Sequence, residues 1–305
     1  MIVAAMDLGT NSFLCLISEV VDGQIVRVLS DSVEVVRLGQ DVQRTGRFSK
    51  EAILRAKVCL GKFKERIDQF KPDRILAMAT SAARDVDNAE DLFEVCRDLM
   101  IPIEIIPGER EAEITFMGAT AHLPTDNKNR LIIDIGGGST EFIVGKNQEI
   151  EFAKSLNLGC VRMTEAIIKN QPTPENELAA LRERVNSEIQ VIHEAIENIV
   201  IDEVIAVAGT PSALAASELG GFDSKKVDGY KFNLRSLSLL RGRLAGLSVD
   251  DKIKILGIEK GRADVILVGC EILVQSLSLL GFEQLTVSTK GVRYGVALEA
   301  ARRPS

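Results

Sequence analysis

One short pattern occurs twice in this chain, and it constrains the fold more than any other feature. Asp7-Leu8-Gly9-Thr10-Asn11-Ser12-Phe13 follows the apolar run at residues 2–6. Asp134-Ile135-Gly136-Gly137-Gly138-Ser139-Thr140-Glu141-Phe142 follows a second run at residues 130–133. Each copy reads as a strand, an Asp, an apolar residue, glycine, small polar residues and then another strand. The copies lie about one domain's length apart. A repeat at that spacing predicts duplication, with two related halves facing a cleft.

The length agrees with that reading. At about 150 residues per domain, 305 residues suggest two domains, each able to bury its own core. The polar, Pro-containing stretch 122–129 marks the boundary, which gives halves 1–124 and 125–290. The last helix, from residue 291 towards 305, is expected to pack back on the first half.

Strand patterns open both halves. Asp22-Gly23 is a hairpin turn between Phe13–Val20 and Ile25–Leu29, and Val33–Leu38 continues the strands. Ser49 caps a helix whose apolar face is Ile53, Ala56, Leu60, Phe63, Ile67 and Phe70. Arg74–Ala79 and Pro102–Ile106 read as strands. Asn88 caps a helix to Leu99, and Gly108 opens another to Thr120. In the second half, helices are expected at 161–169, from Pro174, from about Thr210, and at 233–246, 248–256, 262–280 and 291–301. Strands are expected at 142–144, 204–208 and 284–288. The class is α/β.

Composition narrows the function. The net charge of −7 argues against a sequence-independent nucleic-acid binder, which needs a basic face, but not against an anion held in a local pocket. Five scattered cysteines with no CxxC pair argue against a disulfide framework or structural zinc. Only His122 and His193 are present, so a His-rich metal centre is excluded, a His general base is thinly supplied, and carboxylates are the natural candidates for acid–base chemistry. The opening residues carry no basic n-region, and no apolar run approaches a membrane span, so the expected location is the cytoplasm.

The second turn is the more informative. Gly136, Gly137 and Gly138 allow close backbone approach and positive φ, and successive amides in such a turn make an anion-binding concavity. Ser139 and Thr140 add hydroxyls. Asp134 suits a hydrated Mg²⁺. The order of residues is not GxGxxG, and no Gly-Lys-Ser/Thr is present. Alone, either turn is an ordinary one. Paired, they read as two phosphate clamps.

The paired turns resemble the phosphate loops of the actin, sugar-kinase and chaperone-ATPase superfamily. More narrowly, the chain resembles the exopolyphosphatase / guanosine pentaphosphate phosphatase family in its short, two-domain form. Besides the two turns, the matching segments are Ala79-Thr80-Ser81-Ala82-Ala83-Arg84-Asp85, Ile106-Pro107-Gly108-Glu109-Arg110-Glu111-Ala112-Glu113, Leu158-Gly159-Cys160-Val161-Arg162 and Arg262-Ala263-Asp264-Val265-Ile266. The resemblance spans nearly the whole chain, in order. Two positions depart: Ala208 stands where the family usually has Gly, and Tyr294 where Glu is usual.

The resemblance implies two actin-like (ribonuclease H-like) lobes with a central cleft. It implies that Glu111 orients or deprotonates the attacking water, and that Glu141 binds metal or positions water beside Asp134. Asp134 and Glu141 would hold Mg²⁺ or Mn²⁺. Asn11, Ser12, Arg84, Gly136, Gly137, Gly138, Ser139 and Thr140 would grip phosphate. The implied substrate is inorganic polyphosphate or guanosine pentaphosphate, with a homodimer as the family expectation. A phosphotransferase of the superfamily and a non-catalytic scaffold are the competing readings. Arg44, Arg47, Arg110, Lys290 and Arg293 read as solvated surface charges.

Overall fold

The computed structural model describes residues 1–303. It divides into a first unit, Met1–Pro124 with the segment from Lys290 onward, and a second, Thr125–Thr289. The first unit runs β1 (Ile2–Leu8), β2 (Ser12–Val21), β3 (Gln24–Val35), α1 (Val42–Thr45), α2 (Lys50–Phe70), β4 (Arg74–Ala79), α3 (Ser81–Arg84), α4 (Glu90–Asp98), β5 (Ile103–Ile105) and α5 (Gly108–Thr120). The second runs β6 (Arg130–Ile135), β7 (Thr140–Lys146), β8 (Glu149–Leu156), α6 (Cys160–Ile167), α7 (Glu175–Ile196), β9 (Glu203–Val207), α8 (Gly209–Leu219), α9 (Ser224–Val227), β10 (Lys231–Asn233), α10 (Leu234–Ala245), α11 (Val249–Leu256), α12 (Ile266–Leu280) and β11 (Gln284–Val287). Helix α13 (Val292–Arg302) then returns to the first unit, packing on α5 and β1.

The strand order of the first sheet is β3-β2-β1-β4-β5. β1, β2 and β3 form an antiparallel meander, and β4 and β5 add parallel to β1. The second sheet is β10-β11-β9-β6-β7-β8. Read from β8, its first five strands repeat the same order and the same directions, with β10 as an extra edge strand. A meander continued by parallel strands reached through helices, present twice, is the actin-like lobe. The molecule is therefore α/β with two such lobes.

Local chemistry explains most elements. Asp22 and Gly23 take φ 49° and 74°, as a tight hairpin requires. The Ser49 side chain accepts from the Ala52 amide and starts α2, which buries Ala52, Ala56, Leu60, Phe63 and Ile67. Alternation along β1 splits its residues between two cores. Ala4, Met6 and Leu8 face one that includes α2; Val3 and Ala5 face one that includes α13. β6 is buried on both faces, with Leu131, Ile132 and Ile133 as its apolar centre.

Several expectations need correction. The expected strands omit β8, although its Glu149-Ile150-Glu151-Phe152 alternation and the duplication both call for a third strand. Residues 25–29 and 33–38 are not two strands; β3 is continuous, with register shifts against β2. Asn88 does not cap α4. Its side chain bonds both the amide and the carbonyl of Phe48, because a buried amide there satisfies two backbone groups at once. Pro174 is the cap of α7 rather than its first residue.

Candidate active site

The duplicated turns share one backbone. The Gly9 amide donates to the Ser12 carbonyl over 3.1 Å, and the Gly136 amide donates to the Ser139 carbonyl over 3.0 Å. In the second unit, the start of α6 gathers the loop carbonyls. Cys160 N donates to the Gly136 carbonyl, Val161 N and Arg162 N to that of Gly137, and Arg162 Nε to that of Gly138. In a trans peptide the N–H points opposite to the C=O. The amides of Gly137, Gly138 and Ser139 therefore point away from α6, as a concavity for an anion.

The loop glycines are not there for handedness. None of Gly136, Gly137 and Gly138 sits at a left-handed φ, contrary to expectation. Instead Gly159 presses on the loop: a Cβ there would lie 2.3 Å from the Gly137 carbonyl oxygen and 2.4 Å from the Gly138 carbonyl carbon. Two of the expected phosphate contacts serve the turn itself. The Gly136 amide is committed to Ser139, and the fully buried Thr140 donates its hydroxyl proton to the Leu158 carbonyl.

Asp134 and Glu141 are directly opposed in the β6–β7 ladder, so their side chains share one face of the sheet. Both are buried, at 4% and 1% exposure. Ser155, opposite Glu141 on β8, donates to Glu141 Oε1 over 2.6 Å. Sequence reasoning missed Ser155 because it missed β8. Among the described residues no three His, Cys, Asp or Glu side chains gather as a metal site. A cation here would take these two carboxylates and fill its shell from phosphate oxygens and water, which is how Mg²⁺ is commonly held. Two buried carboxylates side by side call for such a charge.

In the first unit, the Val36 and Arg37 amides both donate to the Asn11 carbonyl, and the Gly39 amide donates to that of Thr10. By the same peptide geometry, the Asn11 and Ser12 amides point away from that segment. Glu111 lies in the first turn of α5 and is buried. Arg84, at the end of α3, donates from Nη1 to Glu111 Oε2 and to the Ile106 carbonyl, each at 2.8 Å. Burial raises the Glu111 pKa, against the pull of Arg84 and a hydrogen bond with Thr80. Thr80 is a further residue that sequence reasoning did not assign.

Other residues fall outside these constellations. Arg293 is no solvated surface charge: Asp31 holds its Nε and Nη2, each at 2.8 Å. Arg110 pairs with Glu113 and Glu299. All five cysteines are buried and free; burial pushes the Cys15, Cys59 and Cys96 thiols up to about 12, which makes them inert. Ala208 takes φ 77° and ψ −168°, a conformation that suits glycine. It thus keeps the backbone a Gly would give, at the cost of strain. No described helix is long and apolar enough to cross a membrane.

The chain resembles known proteins along nearly its whole length. The family model described as the Ppx/GppA phosphatase family matches residues 16–303. Exopolyphosphatase 2 of Mycobacterium tuberculosis is 33% identical, covering 98% of each chain. A guanosine-5′-triphosphate,3′-diphosphate pyrophosphatase of Vibrio vulnificus is 30% identical over 97% of this chain, which spans 58% of that longer protein. Among solved structures, an exopolyphosphatase from Cytophaga hutchinsonii superposes with a TM-score of 0.89 at 28% identity, covering 97% of this chain and 96% of that one. The Ppx/GppA family member of Aquifex aeolicus gives 0.82 at 29%, covering 99% and 97%. The chain belongs to the Ppx/GppA phosphatase family and is a hydrolase acting on phosphoanhydride bonds.

Proposed function

We propose that the chain is an exopolyphosphatase, which releases orthophosphate from the end of inorganic polyphosphate. The observation that carries this reading is the end-to-end match, over 98% of both chains, with a relative of that activity. The guanosine pentaphosphate reading has weaker support, because the relative that suggests it is considerably longer.

In the second unit, the amides of Gly137, Gly138 and Ser139 donate to phosphate oxygens. Asp134 and Glu141 would hold a divalent cation, Mg²⁺ or Mn²⁺, and Ser155 fixes the Glu141 carboxylate. Such a cation, when bound, offsets the charge that gathers on the phosphate oxygens. In the first unit, the Asn11 and Ser12 amides and Arg84 contact phosphate. Glu111 aligns the attacking water and takes its proton, which suits a carboxylate whose basicity burial has raised.

A phosphate-release assay with Mg²⁺ tests the substrate. It compares short polyphosphate, long polyphosphate, guanosine pentaphosphate and ATP. Polyphosphate is expected to give the highest kcat/KM; a higher value for guanosine pentaphosphate overturns the reading in favour of the nucleotide. Glu111→Gln is expected to lower kcat by about 10²–10⁴-fold while polyphosphate binding persists. Undiminished turnover in that variant would remove Glu111 from the mechanism.

A further inference from the structure

Arg84 uses only part of its guanidinium within the chain. Nη1 is shared between Glu111 Oε2 and the Ile106 carbonyl, each at 2.8 Å. Among the described residues, Nε and Nη2 have no hydrogen-bond partner. The side chain is 21% exposed, while that of Glu111 is 9% exposed. One edge of the fork is thus fixed on a buried carboxylate and a backbone oxygen, and the other edge is open. Two parallel N–H groups on one edge match two oxygens of a phosphate.

We propose that Arg84 works with both edges at once: Nη1 orients Glu111, while Nε and Nη2 take the phosphate that the Glu111-held water attacks. This rests on the reading of Glu111 given above. The Ile106 carbonyl makes the arrangement rigid, because Nη1 keeps a second acceptor that substrate does not touch. Lysine cannot replace this arrangement, since its ammonium lacks the planar fork. In the step itself the water oxygen bonds to the terminal phosphorus and its proton passes to Glu111. The anhydride P–O bond breaks, and its electron pair leaves with the shortened chain.

The groups around Glu111 make the proposal testable by pH. Arg84, from α3, is the cation that bears on it, and Thr80, after β4, adds a hydrogen bond. On the side of α13, Glu299 is paired with Arg110 and Arg303. A guanidinium at this distance lowers a carboxylate pKa by about 1–3 units.

The experiment measures kcat and kcat/KM on polyphosphate against pH for the wild type, Arg84→Met, Arg84→Lys and Glu111→Gln. If Arg84 stays on Glu111 with substrate bound, Arg84→Met moves the acid limb of both profiles to higher pH, by about one unit. It also raises KM about tenfold or more, and Arg84→Lys recovers only one of the two effects. Movement of the kcat/KM limb alone overturns the proposal, because Arg84 then leaves Glu111 when substrate binds. An unchanged KM overturns it too, because the open edge then takes no phosphate. An acid limb that persists in Glu111→Gln is a separate failure, that of Glu111 as base. If Arg84→Met turns over too slowly, carboxyl ¹³C NMR titration of Glu111, with and without tripolyphosphate, reads the same two shifts.

Discussion

In the first unit, Gly9 and Ser12 close a turn with one amide-to-carbonyl bond of 3.1 Å; in the second, Gly136 and Ser139 close theirs with one of 3.0 Å. A Cβ on either leading glycine would sit 3.1 Å from the carbonyl oxygen it faces. The backbones match, but the supports behind them do not. The first turn leans on the segment after β3, residues 36–39, and the second on the start of α6. The residue opposite the strand-ending Asp also differs. It is Leu14 against Asp7, and Glu141 against Asp134. One copy sets an apolar residue opposite its Asp; the other sets a second carboxylate there. The same scaffold occurs twice, and side-chain differences set the two copies apart.

The supports give the largest expected contrast. A Cβ at Gly159 meets backbone atoms of Gly137 and Gly138, which cannot rotate aside. Gly159→Ala is expected to displace the second loop and lower kcat/KM by about 10²-fold. A Cβ at Gly39 meets the Thr10 Cγ2 at 2.3 Å, the end of a side chain that can turn. Gly39→Ala should cost much less, and equal losses in the two variants would break the comparison.

Stability should also divide by unit. Lys252, fully buried in the second unit, has its pKa lowered to about 8 by burial, with Asp264 opposing. Its pKa is higher in the unfolded chain, so the unfolded state binds more protons between about pH 8 and 10.5. This group therefore makes the fold more stable as pH rises through that window. Lys252→Met should remove that slope. Urea titrations at several pH values read the effect.

Ser155→Ala removes the donor to Glu141 Oε1. About a tenfold loss of apparent Mg²⁺ affinity is expected, measured as activity against Mg²⁺ concentration. The smallest effect compares the residues after β4 and β9. Thr80 keeps φ −112°, while Ala208 takes φ 77°. Ala208→Gly should stabilise the chain by about 1 kcal/mol in urea unfolding, with kcat/KM unchanged within twofold. A loss of stability there would mean that the strain at Ala208 is not real.

Much of this architecture was legible in the chain. The paired turns gave the duplication, and apolar periodicity gave α2, α5 and β4 with little error, because their burial patterns are regular. Reading failed where a residue's partner lies far along the sequence. β8 is half-exposed, and its short alternation becomes decisive only once β7 lies beside it. Asn88 looked like a helix cap until Phe48 came beside it. Glu111 and Arg84 were both named, each from its own segment, but nothing in either segment says that they bond one another.

The sequence by itself determined the α/β class, the two turns, and a supply of only two histidines. Those follow from local preference and from which side chains exist. The tertiary structure alone decided which loop groups remain able to meet an anion. It took the Gly136 amide and the Thr140 hydroxyl for the turn, and turned the Gly137, Gly138 and Ser139 amides outward by binding the carbonyls behind them. The physical reason is that a backbone group's availability depends on what satisfies its neighbour, and that neighbour is set by packing, not by spacing.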